Sequence, residues 1–220
     1  MPLFTQETTA VIYGLQSAAV QRMLDFDWMC GRKTPSVAAI VNPSASDVAT
    51  AFFGSKQILI SVYRTIKEAH AASRADVFIN FASFRSAYET TDEALELPFN
   101  TLVVIAEGVP ERQARQLAAK AKKLKKVLIG PATVGGIAAG AFKIGNSGGT
   151  PEAMLAAKLN RPGSVGFVSK SGGMSNEMFS VLGNTTDGIL EGIAIGGDAF
   201  PGTSLLDHAL RYEADPACKM

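Results

Sequence analysis

The sequence predicts an α/β chain made of two unequal units, and three observations carry that expectation. Apolar runs of strand length alternate with longer segments of helical periodicity, the pattern of a parallel sheet covered by helices. The runs are dense in Val, Ile, Leu and Ala instead of alternating with polar residues, as strands buried on both faces are. Most of them stop at a glycine- or proline-bearing turn before the next helix starts.

Thr9 to Tyr13 reads as the first strand, ending in Gly14-Leu15-Gln16-Ser17 and followed by a helix through Val20, Met23, Leu24 and Trp28. This opening has a single glycine where a dinucleotide fingerprint has Gly-x-Gly-x-x-Gly, which speaks against a nicotinamide site. Gln16 and Ser17 suit a ligand contact or a plain helix cap. Ser36 to Val41 is the second strand, stopped at Asn42-Pro43. Phe52, Phe53 and Gly54 with Ile58 to Ile60 read as short edge pieces around a turn, and Val62 to Ala72 as helix.

Asp76 to Asn80 is the third strand, running into Phe81-Ala82-Ser83-Phe84-Arg85-Ser86-Ala87 and a helix to about Leu95. Arg85 therefore stands just past a strand's carboxyl end, where open α/β sheets take ligands. Its planar fork of donors suits phosphate, with a solvated surface arginine as the alternative. Thr101 to Ala106 is almost wholly apolar and reads as a central fourth strand. Glu107 follows on the same rim, where it can cap the next helix or act as an acid or base. Glu111 to Lys125 is an amphipathic helix, with Lys120, Lys122, Lys123, Lys125 and Lys126 as a solvated face. Val127 to Ile129 is the fifth strand, and Phe142 to Gly149 reads as a glycine-rich crossing.

Residues 1–150 thus make a Rossmann-like open parallel sheet of five βα units. After a helix from Pro151 to about Leu159, residues 163–220 supply two strands, Val165 to Val168 and Ile189 to Ile195, and two helices. This second unit is expected to be an incomplete flavodoxin-like α/β domain, because so small a parallel sheet leaves an edge unpaired and a core half covered. A new strand could begin at Ala217 to Met220.

The stretch from Gly163 to Leu182 is where the chemistry is expected. Ser169 to Gly173 is a polar turn between a strand and a helix with Met174, Met178 and Val181 on one face. The first N–H groups of a helix have no intrahelical acceptor and its dipole is positive there, so Ser171, Gly172 and Gly173 can seat a carboxylate or phosphate. The alternative is an ordinary tight turn capped by Ser171.

Composition narrows the classes. The 220 residues are 47% apolar, enough for a substantial core, and the net charge of +1 gives no basic excess to draw nucleic acid or anionic lipid. The two cysteines, Cys30 and Cys218, make no disulfide framework and suit a reducing cytoplasm. Two histidines and two distant cysteines give no metal-ligand spacing. No signal peptide and no apolar stretch approaching ~20 residues is legible.

Several turns read together resemble one family. Met23-Leu-Asp-Phe-Asp, Asn80-Phe-Ala-Ser-Phe-Arg-Ser, Gly130-Pro-Ala-Thr-Val-Gly-Gly, Phe142-Lys-Ile-Gly-Asn-Ser-Gly-Gly, Ser171-Gly-Gly-Met-Ser-Asn-Glu and Ile195-Gly-Gly-Asp-Ala-Phe-Pro-Gly-Thr occur in order. The chain from about Thr9 onward resembles the ATP-citrate lyase family, in the portion related to the alpha subunit of succinyl-CoA synthetase. The resemblance implies an enzyme that makes acetyl-CoA and oxaloacetate from citrate, coenzyme A and ATP through a phosphohistidine and citryl-CoA. It implies a CoA-binding domain over residues 1–150 and the start of a CoA-ligase domain, truncated, over 163–220. The beginning at Met1 is similar to the arrangement in which the ATP-binding half, with ATP and Mg, is a separate ATP-grasp, citrate-binding subunit, giving a hetero-oligomer.

By the same resemblance Ser83, Arg85 and Ser86 fall on the turn that binds coenzyme A, with Pro43 and the Gly14, Gln16 and Ser17 turn on the same side. Glu107 falls on the family's functional carboxylate. Ser171, Gly172 and Gly173 fall on the helix start that receives citrate and the transferred phosphoryl group. The family's phosphorylated histidine lies in a Gly-His-Ala-Gly segment, and neither His70 nor His208 has that surround, so the isolated chain is expected to be inactive. Two other readings remain. One is a succinyl-CoA synthetase alpha-type subunit, against which Ser171-Gly-Gly-Met-Ser-Asn-Glu stands. The other is a non-catalytic Rossmann nucleotide-binding module, against which the missing fingerprint stands.

Overall fold

The computed structural model of the chain describes residues 2–45 and 47–220. Its first sheet has seven strands: β1 (Ala10–Tyr13), β2 (Val37–Val41), β3 (Val48–Phe53), β4 (Lys56–Tyr63), β5 (Val77–Asn80), β6 (Thr101–Val104) and β7 (Val127–Ile129), in the order β3-β4-β2-β1-β5-β6-β7. All neighbours run parallel except β3 and β4, which form an antiparallel hairpin at one edge. The helices are α1 (Ser17–Met29), α2 (Ile66–Ser73), α3 (Ala87–Leu95) and α4 (Glu111–Lys123). The strand order reverses between β1 and β5, which opens a crevice at their carboxyl ends.

Successive residues of a strand point to opposite faces, so the unbroken apolar runs feed two cores. Val11, Phe78, Leu102 and Leu128 pack beneath α2, α3 and α4. Their neighbours Ile12, Ile79, Val103 and Ile129 pack on the other face with Val20, Met23 and Leu24 of α1. That second core also takes in Phe142, Ile144 and Ile193, so the second unit of the chain itself covers this face.

The second sheet has four strands, β8 (Gly135–Ala138), β9 (Phe142–Gly145), β10 (Val165–Ser169) and β11 (Ile189–Ala194), in the order β10-β11-β8-β9. Around it lie α5 (Pro151–Ala156), α6 (Gly172–Thr185) and α7 (Leu205–Glu213). β10 and β11 are parallel, and β8 runs antiparallel to both β11 and β9. The free edge of β10 is met by the last residues: Gly166 N–H donates to Met220 O and Lys219 N–H to Ser164 O, each at 2.8 Å.

Several expectations are corrected. The stretch from Val62 does not begin a helix, since β4 runs to Tyr63 and α2 starts only after Thr65, whose hydroxyl and Glu68 form a capping box. The Phe142 to Gly149 stretch is more than a crossing: Phe142–Gly145 is β9, paired with β8 in the second sheet, so a division at residue 150 cuts across that sheet. Its glycines serve close strand approach: a Cβ at Gly136 would stand 2.6 Å from the Ile193 side chain. The buried face of α6 is Ser175, Phe179 and Gly183, whereas Met174 and Val181 are 57% and 52% exposed. Small residues choose that face, because a Cβ at Gly183 would lie 2.2 Å from Ala157 O. The lysines in and just after α4 are not all solvated. Lys120 Nζ pairs with Asp92 at 2.7 Å and Glu96 at 2.6 Å, and Lys126 Nζ donates to Leu95 O and Leu97 O at the end of α3.

A buried polar relay fastens α7 to the first sheet. Arg211 Nη2 donates to the Glu191 carboxylate of β11 and lies 3.2 Å from His208 Nδ1. A guanidinium only donates, so Nδ1 accepts and the His208 proton sits on Nε2, which donates to Thr203 Oγ1 at 2.9 Å. Thr203 in turn donates to Leu128 O of β7 at 2.9 Å. Burial first, then the positive Arg211, hold the His208 pKa down to about 4. Cys30 and Cys218 are free thiols. No helix among the described residues is long and apolar enough to cross a membrane.

Candidate functional site

The turns that follow β6, β7, β10 and β11 meet around one cavity of about 640 Å³, lined by Glu107, Gly108, Ala132, Lys170, Ser171, Gly172, Gly197 and Asp198. Strand carboxyl ends from both sheets therefore share a rim. The first sheet contributes a carboxylate and the second a helix N-terminus. Proximity in the chain plays no part in this: Glu107 and Ser171 are brought together only by the packing of one unit on the other.

Ser171 is the N-cap of α6; its hydroxyl accepts from Met174 N–H at 3.2 Å. The capping role and the anion seat are thus compatible, because a cap satisfies one first-turn donor and leaves others to a ligand. The two glycines differ. A Cβ at Gly172 would stand 2.6 Å from Val134 Cγ1, so packing against the β7–β8 turn demands glycine there. A Cβ at Gly173 would meet nothing within 4 Å, so only this glycine leaves open space beside the helix start.

Glu107 is exposed and makes no hydrogen bond or ion pair among the described residues. It does not cap α4, whose N-cap is Pro110. Lys170 brings the cavity's cation and is held by an Nζ donation to Asp198 O at 3.2 Å. The Asp198 carboxylate is turned into its own loop, accepting from Phe200 N–H at 2.9 Å. Sequence reasoning missed Lys170 and Asp198 as site residues. The available signal was position, since each lies in the turn directly after a parallel strand of the second sheet.

The residues expected to bind coenzyme A extend the rim away from the cavity. Ser83 and Arg85 are exposed on the turn between β5 and α3, and Ser86 is the N-cap of α3 without a capping hydrogen bond. The Arg85 guanidinium lies 5.6 Å from the Phe84 ring, and Phe84 stands 4.0 Å from where a Cβ of Gly108 would be. On the other side, Phe81 N–H donates to Tyr13 O at 3.1 Å, and Phe81 packs beside Gly14, whose φ of +100° only glycine adopts readily. Gln16, the N-cap of α1, makes no capping bond, and Ser17 opens the helix. The first-turn N–H groups of α1 and α3 are thus not taken up by their own caps. Pro43 is exposed in the turn after β2. Arg85, Pro43, Gly14, Gln16, Ser17, Ser83, Ser86 and Gly173 do not line the cavity. Among the described residues no cluster of His, Cys, Asp or Glu has the spacing to hold a metal ion.

Comparison with known proteins gives a consistent picture. The family model of the CoA binding domain matches residues 5–108. The probable ATP-citrate synthase subunit 1 of Schizosaccharomyces pombe is 56% identical over 99% of this chain, and the probable ATP-citrate synthase of Dictyostelium discoideum is 59% identical over the same share. The chain spans 36% of the length of each. Among solved structures, the ATP citrate lyase of Methanothrix soehngenii in complex with citrate and coenzyme A is 58% identical, with a TM-score of 0.98 over 100% of this chain and 36% of its own.

Proposed function

We propose that this chain belongs along its whole length to the ATP-citrate synthase family and is the coenzyme A-receiving part of an enzyme that makes acetyl-CoA and oxaloacetate from citrate, coenzyme A and ATP. The observation that carries the reading is the shared cavity, where Glu107 from one sheet faces the start of α6 from the other. In this reading coenzyme A lies along the rim made by Gly14, Gln16, Ser17, Pro43, Ser83, Arg85 and Ser86, with Arg85 on a phosphate. Two helix starts on that rim, those of α1 and α3, lack a side-chain cap and suit an anionic ligand.

The cavity then receives the acid. Gly172 and Gly173 offer N–H donors, Ser171 its hydroxyl and Lys170 a positive charge to the carboxylates of citrate and to the transferred phosphoryl group, the Ser171 N–H being taken up by Ser169 Oγ at 3.1 Å. Glu107 acts as the base that takes the thiol proton when the sulfur attacks the activated carboxyl carbon, with phosphate as leaving group. Neither His70 nor His208 lines this cavity, and both ring nitrogens of His208 are bonded within the fold. The phosphoryl carrier therefore comes from outside these 220 residues, as do ATP and Mg, which we assign to an ATP-grasp partner. Two free thiols fit a cytoplasmic protein.

Calorimetry of the chain with coenzyme A tests the reading. Binding is expected, and Arg85→Ala should lose about 10- to 100-fold in affinity, since a hydrogen bond to a charged group contributes about 1.5–3 kcal/mol. Absence of binding by the parent, or equal binding by Arg85→Ala, overturns it. Offering citrate or succinate to the assembled enzyme separates the citrate reading from a succinate-type one.

A further inference from the structure

We propose that Asn80, which none of the site assignments above includes, is the positioning residue of the coenzyme A turn, resting on the reading that this turn binds coenzyme A. Asn80 ends β5 and is wholly buried, on the inner side of the turn from Phe81 to Ser86. Its Oδ1 accepts from Ala82 N–H at 2.9 Å. Its Nδ2 donates to Thr90 Oγ1 at 2.7 Å and Thr91 Oγ1 at 2.9 Å, and reaches Ala87 O at 3.3 Å. Thr90 Oγ1 passes the connection on, donating to Ser86 O at 2.8 Å.

One side-chain amide thus ties the start of the turn, at Ala82, to its end, at Ser86 and Ala87. Between these anchors Ser83 O accepts from Ser86 N–H at 3.0 Å and Ala87 N–H at 2.8 Å, closing the backbone on itself. The side chains of Ser83, Phe84 and Arg85 are left exposed on a backbone pinned from beneath. A buried amide with both ends bonded has one orientation only, so the turn is held in one shape before any ligand arrives. Placing Arg85 and the α3 N–H groups in advance lowers the ordering cost of binding.

The test measures coenzyme A affinity of the full chain by calorimetry for the parent, Asn80→Ala, Asn80→Asp and Arg85→Ala, and for Asn80→Ala combined with Arg85→Ala, with folding checked by circular dichroism. Asn80→Ala should bind about tenfold or more weakly, one net hydrogen bond or more being lost. The double variant should be little weaker than Arg85→Ala alone, since both changes act on one turn. Asn80→Asp keeps the shape and the Ala82 bond but as a carboxylate cannot donate to Ala87 O. Its affinity relative to the parent at the same pH should recover as acidification protonates it. A merely structural role moves neither the coupling nor that pH profile. If the parent binds but the Asn80 variants bind equally, or the losses add fully, the positioning role is wrong while the coenzyme A reading stands. If the parent does not bind, both fall. If neither Asn80 variant folds, the amide serves the fold as a whole and the narrower role is overturned.

Discussion

Gly172→Ala and Gly173→Ala are neighbouring, chemically identical changes with opposite expected outcomes. At Gly172 the new methyl would stand 2.6 Å from Val134 Cγ1 and 3.1 Å from Cγ2, closer than real carbon contacts allow. Forcing an extra carbon into a packed site costs about 1–3 kcal/mol. Alanine's better helix propensity returns at most ~1 kcal/mol, and less in a first turn. The net loss of about 1–2 kcal/mol should lower Tm by roughly 2–8 °C in a chain of this size. At Gly173 the methyl meets nothing within 4 Å, so Tm should hold or rise slightly. Urea and thermal unfolding of both variants measure this, together with Val134→Ala and the double variant Val134→Ala, Gly172→Ala. Removing the valine methyls should relieve the alanine, giving a coupling of about 1–3 kcal/mol. Equal stability of the two glycine variants, or a Gly172→Ala penalty untouched by Val134→Ala, would refute the packing argument. Gly173→Ala also reports on the anion seat: weaker citrate binding in the assembled enzyme with undiminished stability is the expected signature.

Glu107→Gln, exposed and unpaired, should leave stability within about 0.5 kcal/mol yet slow citrate-dependent acetyl-CoA formation by the assembled enzyme by about 10²- to 10⁴-fold; unchanged turnover would remove Glu107 from the chemistry. His208 gives a pH prediction. Its folded pKa of about 4 lies below the ordinary histidine value of 6.5, so between those values the unfolded chain binds the extra proton. The stability it contributes is complete above pH 6.5 and is lost as pH falls through 4, about 3 kcal/mol in all. Asp27, raised by burial to about 6, titrates in part of that window with the opposite sign but is common to parent and variant. The stability difference between the parent and His208→Gln should therefore slope across this window, and a flat difference in denaturant midpoints would show that the imidazole is not held neutral.

The two levels of reading separate cleanly at particular residues. The cores of β1, β5 and β6 were legible because both faces of those strands are apolar, so a simple run of Val, Ile and Leu declares them. The rim turns were legible because chain direction and sheet parity put Arg85, Glu107 and Ser171 at carboxyl ends of parallel strands. The β8–β9 hairpin was not, because its glycines answer to Ile193 and Ile144 across the sheet, partners that local sequence does not reveal. The buried face of α6 was not legible for the same reason: spacing puts Met174, Met178 and Val181 on one face, but Gly183 must face Ala157 O.

What the sequence determined by itself was the alternation of elements, the turn chemistry and the family likeness, all of which depend on neighbours within a few residues or on motif order. Tertiary structure alone decided which strands share a sheet, that Glu107 and Gly172 border one cavity with Lys170, and which of two adjacent glycines is indispensable. Those outcomes depend on contacts between segments far apart in the chain, where a few tenths of an ångström in the approach of two backbones selects one arrangement over another.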